Sequence, residues 1–118
     1  MRYLFHHSIC PFSRAVRIAI LEKKLDVLLE TVRFWEKDQN FLQINPLGKV
    51  PVLIELNGIS IVGSYAILEY LEEAYSNNNL LPKDIFQKNE VRKIVDYFNI
   101  YFVDEILLHG PVNLGCAV

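Results

Sequence analysis

Basic residues are too few to build a nucleic-acid or anionic-membrane surface. Twelve Lys+Arg against 14 Asp+Glu leave the 118-residue chain with a formal net charge of −2, and such partners need a clustered basic face. Cysteine is scarce. The two present, Cys10 and Cys116, are far apart and make no disulfide-rich secreted scaffold. Long apolar runs are missing: charges or asparagines cut every stretch well before the ~20 residues of a membrane span. The opening Met1-Arg2-Tyr3-Leu4-Phe5-His6-His7 is too short in its apolar part for a secretory signal core. These absences lead to the expectation of a cytoplasmic protein with reduced thiols, no nucleic-acid partner and no membrane. What is present, 52% hydrophobic and 22% charged residues, suits one globular domain.

Residues 2–5, apolar with two aromatics, predict a strand. His7-Ser8-Ile9-Cys10-Pro11 predicts a turn into a helix over 12–24, with proline tolerated in the first turn. Val16, Ala19 and Ile20 recur there at helical spacing, leaving Arg14, Arg17, Lys23 and Lys24 for solvent. A second strand is expected over 28–34 and a short helix over 38–43, stopped by Asn45-Pro46-Leu47-Gly48. Two β-rich runs, 50–56 and 59–62, flank Asn57-Gly58, which predicts a hairpin with a type I′ turn. Ser64 is placed to cap a helix reaching about residue 75. The order β-α-β-α-β-β-α predicts an α/β architecture with helices on the faces of a small mixed sheet. A polar linker follows, and residues 85–108 predict one long helix with Val91, Ile94, Val95, Phe98 and Phe102 as its stripe. Its last turns are apolar nearly all round, as in a helix covered on several sides.

Cys10 stands at a strand-to-helix turn, where amide groups and the helix dipole favour a thiolate. In Cys10-Pro11-Phe12-Ser13, serine occupies the place a resolving thiol would take, so the partner in redox chemistry would be a second molecule, through a mixed disulfide. The alternative is an inert cysteine packed as a small apolar residue. Val50-Pro51 begins a strand, a position for an edge, a special turn or a cis bond. A cis bond would leave the Val50 backbone available to an extended peptide-like ligand; the alternative is an ordinary trans proline. Ser64, opening a helix, could receive a carboxylate or serve only as a cap. Lys37 and Lys49 flank the same loops as sources of positive charge. His6 and His7 are adjacent, so a strand points them to opposite faces, and no metal site is expected.

Taken together and in order, Cys10-Pro11-Phe12-Ser13, Arg14-Ala15-Val16-Arg17-Ile18-Ala19, Asn45-Pro46-Leu47-Gly48-Lys49-Val50-Pro51-Val52-Leu53 and Ser64-Tyr65-Ala66-Ile67-Leu68-Glu69-Tyr70-Leu71 resemble the N-terminal domain of glutathione S-transferases. The likeness is to cysteine-type members, such as the omega class and bacterial relatives. It implies a thioredoxin-like mixed four-stranded sheet with three flanking helices, followed by the first helix of an all-α C-terminal domain. The implied division is 1–76 for the glutathione-binding domain, 77–82 for the linker and 83–118 for the start of the helical domain. The resemblance implies that Cys10 is catalytic and that Lys37, Val50, Pro51 and Ser64 bind glutathione. Val50 would pair with the cysteinyl part, Ser64 would receive the γ-glutamyl carboxylate, and Lys37 would face the glycine carboxylate.

The chain departs from that pattern at Gly63, where the family usually carries an acidic partner for the γ-glutamyl ammonium, and in holding about one helix of the C-terminal domain. The implied function is transfer of glutathione to electrophiles, or reduction of mixed disulfides, with glutathione as co-substrate and a homodimer as the assembly. The alternatives are a non-catalytic binding or regulatory module and an inactive truncated product.

Overall fold

Successive side chains of β1 (Arg2–His6) point to opposite faces of a sheet, and this alternation divides the interior in two. The computed structural model describes residues 1–101 and Glu105. On one face Leu4 packs with Val16, Ala19 and Ile20 of α1 (Pro11–Glu22), Ile67 and Leu71 of α3 (Ser64–Ala74), and Leu53. On the other, Phe5 meets Cys10, Phe34, Phe41, Val50 and Val52. This second cluster is closed by one turn of 3₁₀ helix (Phe34–Glu36) and by α2 (Gln39–Ile44). β1 runs parallel to β2 (Val27–Thr31), with Leu4 opposite Leu29, and antiparallel to β3 (Val52–Ile54), with Leu4 opposite Leu53. β4 (Ser60–Val62) pairs antiparallel with β3 and completes the order β2-β1-β3-β4. This is the thioredoxin-like mixed sheet with three flanking helices, followed by α4 (Ile85–Tyr97).

Four local expectations need correction. The second strand ends at Thr31, because the chain turns at Arg33 into the 3₁₀ turn that drives Phe34 into the core. The hairpin turn is not type I′: only Gly58 takes a positive φ (+85°), whereas type I′ needs two. The Gly58 N–H donates to the Glu55 carbonyl, and Glu55 N–H donates to Ile59, the pattern of a three-residue loop closed by a glycine bulge. Lys23 is not solvated; it is 1% exposed and paired with Glu72 at 2.9 Å. The helix expected over 85–108 is regular to Tyr97 and wider over 98–101; residues 102–104 and 106–108 lie outside the described residues, as does Cys116. α4 has no buried residue, and Phe86 and Ile94 are 79% and 54% exposed. No helix among the described residues is long and apolar enough to cross a membrane.

Candidate functional site

The loop 7–10 carries the chain from β1 into α1. Cys10 is the residue before the first helical position, with extended backbone (φ −85°, ψ 116°), and Pro11 opens the helix. The Cys10 N–H donates to the His7 carbonyl at 3.1 Å, and its own carbonyl accepts from Arg14 at the same distance. Ser13 is fully buried, and its hydroxyl accepts from the His7 N–H at 3.4 Å, tying the loop to the helix. The His7 ring stands edge-on to Phe34 and Trp35. The Cys10 thiol is fully buried within the cluster of Phe34, Phe41, Val50 and Val52.

One strand away, the Val50–Pro51 bond is cis, the alternative that leaves the Val50 backbone available. Val50 is 2% exposed, yet neither its N–H nor its carbonyl has a protein partner among the described residues. Buried backbone groups are rarely left so. Pro51 accepts from the Gly63 N–H at 3.0 Å, which lays the start of α3 against this corner. Gly63 caps α3 with φ +94° and ψ 146°. Ser64 is therefore the first helical residue rather than the cap, and its side chain makes no capping bond. The first intrahelical bond there runs from Ile67 N–H to the Gly63 carbonyl. The amides before it project from the helix N-terminus, a favourable place for an anion.

Val50, Pro51 and Ser64 thus come together on one cavity of about 380 Å³, with Phe12, Lys49, Gly63 and Tyr65 among the other walls. Cys10 sits behind that wall, through its contact cluster with Val50. Lys37 does not line the cavity; it is an exposed residue with φ +55° beside Gly48. Lys49 takes the place at the wall. Asn45, given no role from sequence, is 2% exposed and holds the 45–49 loop by donating to the Lys49 carbonyl (2.8 Å) and accepting from Leu47 N–H (3.2 Å). Its signal was the Asn-Pro pair, where an asparagine side chain commonly bonds its own loop. At the end of β1, His6 is 6% exposed with Nδ1 unpartnered. Burial, aided by the charges of Arg17 and His7, pushes its pKa below the ordinary imidazole value. A larger space of about 610 Å³ opens between α3 and α4, walled by Leu68, Leu81, Val91 and Val95 and rimmed by the Glu69–Arg92 pair. Among the described residues, no group of three or more His, Cys, Asp or Glu is arranged to hold a metal ion.

The glutathione S-transferase N-terminal domain matches residues 4–79. The chain belongs to the glutathione S-transferase family. It is 37% identical to FtsZ-localized protein A of Caulobacter vibrioides, over 95% of this chain and 52% of that protein. A glutathione S-transferase from Rhodospirillum rubrum F11 superposes with a TM-score of 0.87 at 42% identity, covering 90% of this chain and 48% of that one. A second, from Methylobacillus flagellatus KT and solved with GSH bound, gives 0.74 at 32% identity, over 88% and 51%. The chain therefore spans about half the length of these relatives.

Proposed function

We propose that this transferase-family chain binds glutathione in the cavity at Val50, Pro51 and Ser64 and acts on it through the Cys10 thiol. The observation that carries the reading is the buried Val50 backbone, whose N–H and carbonyl have no protein partner among the described residues and lie on the cavity wall. An extended peptide satisfies both groups at once, as a short added strand would. The ligand's γ-glutamyl carboxylate meets the amides and hydroxyl at Ser64, and its glycine carboxylate lies toward Lys49, with Lys37 further out. The cysteinyl sulfur then points to the start of α1. There Cys10 attacks the sulfur of a glutathione mixed disulfide, the other thiol leaves, and a second glutathione releases oxidised glutathione and restores Cys10. Transfer to an electrophile uses the same bound thiol.

In this reading the units are 1–76, a linker at 77–82 and a helical part from 83, the assembly is a homodimer through α4, and the location is cytoplasmic. The complete burial of Cys10 and the likeness to FtsZ-localized protein A favour a second reading, a non-catalytic glutathione-fold module. Retention on immobilised glutathione, together with glutathione-dependent reduction of a small mixed disulfide, separates the two. Cys10→Ser is expected to abolish reduction and keep retention. Retention without any wild-type reduction would establish the non-catalytic module, and loss of both would end the glutathione reading.

A further inference from the structure

The walls of the cavity carry one charged side chain, Lys49, and no carboxylate. The acids nearest in sequence are engaged elsewhere. Asp38 caps α2 through Phe41 N–H, Glu36 pairs with Arg33, Glu55 with Arg2, and Glu69 with Arg92. The amino end of α3 adds further positive potential. An extended peptide is anchored here by the Val50 backbone and by its carboxylate at α3. A ligand ammonium arriving at the same corner meets no counter-charge among the described residues that line it. Gly63 enlarges that corner: a Cβ built on it finds nothing within 4 Å.

We infer that this cavity binds γ-glutamyl thiol peptides without reading their amino group, and so takes N-acylated forms as readily as free-amine ones. The inference rests on the glutathione reading of the site. Acylation removes a charge that the walls do not balance, and the added bulk has the open space beside Gly63. Gly63 is then the specificity-determining position. A carboxylate there would make a charge-assisted hydrogen bond with the ammonium and restore the preference for the free amine.

Titration calorimetry of the whole chain with glutathione and with N-acetylglutathione tests this. The two affinities are expected to agree within about threefold, and Gly63→Glu, verified as folded by circular dichroism, is expected to favour glutathione by about tenfold. Glutathione binding to the wild-type chain tenfold or more tightly than its acylated form would overturn the inference and leave the site reading intact. Binding of neither peptide would bring down both. The wild-type pair decides the matter even if the variant does not fold.

Discussion

Lys23 carries its ammonium into the interior at the end of α1, where Glu72 pairs with it and the Tyr75 carbonyl accepts from it at 2.6 Å. Burial tends to raise the Glu72 pKa, but the Lys23 ammonium and the Leu80 and Leu81 amides outweigh it and hold the carboxyl below its ordinary value. Removing one partner leaves the other charge buried, so Glu72→Ala is expected to cost about 3 kcal/mol, read from urea midpoints. A loss under about 1 kcal/mol would mean that the backbone carbonyls alone suffice. Nothing in the Lys23-Lys24 pair marks which lysine turns inward. That is decided by the end of α3, distant in sequence and adjacent in space. His6 is another buried titratable group. Its folded pKa lies below the ordinary 6.5, so as pH falls through 6.5 the unfolded chain takes up a proton first and stability declines. A further loss begins as pH falls through 4.5, where Glu72 and Glu55 take up protons in the unfolded chain while their folded carboxyls, held lower, stay ionised. Glu55 is also held low: burial opposes this, but hydrogen bonds from Tyr75, Leu56 and Tyr70 and the Arg2 charge prevail. Urea midpoints from pH 8 to 5.5 are expected to fall for the wild type and stay flat for His6→Gln; parallel slopes would refute the assignment.

The hairpin between β3 and β4 shows what an element's sequence does and does not reveal. Asn57-Gly58 marks a reversal between two β-rich runs, and a reversal is there. Its loop length is set elsewhere, by β3 pairing with β1 so that Leu53 enters the core between the sheet and the helices; a one-residue slip would turn that side chain outward. Gly58 alone carries the positive φ, with nothing within 4 Å of a Cβ. Gly58→Ala is therefore expected to lose about 1–2 kcal/mol from backbone conformation alone, and Asn57→Ala less. Equal thermal shifts for the two variants would contradict this. The same limit applies to Ser64: serine at a helix start is legible as a cap, but the cap falls to Gly63 because Pro51 draws its amide inward. The strand, turn and helix order was legible because each element repeats its apolar period. Which of the two flanking lysines, Lys37 or Lys49, reaches the cavity wall was not, because the course of the 45–49 loop depends on the Asn45 side chain bonding its own backbone.

At the scale of the molecule, α4 presents Phe86, Ile94, Val95 and Tyr97 to solvent. Apolar surface of this kind contributes roughly 25 cal/mol per Å² when covered, and large patches seldom remain open on a monomer. The chain is expected to associate at micromolar concentration, with Phe86→Lys plus Ile94→Lys shifting it toward monomer by light scattering. A monodisperse wild-type monomer would show that this helix face does not drive assembly.

α3 has two working ends. Its first turn closes the cavity, and its last turn receives the Asn77–Asn78 bend, where the Asn77 and Asn78 side chains donate to the Lys23 and Glu22 carbonyls and Glu72 accepts from the Leu80 and Leu81 amides. Eleven helical residues separate those ends, roughly 16 Å at 1.5 Å per residue. A pull on the chain beyond Pro82 is thus transmitted into α1 and α3 at the far pole, where a fully buried ammonium and two asparagine side chains act as the anchorage. Whatever moves after the bend therefore bears on the cavity through α3, whose first turn at Ser64 and Tyr65 forms part of the wall.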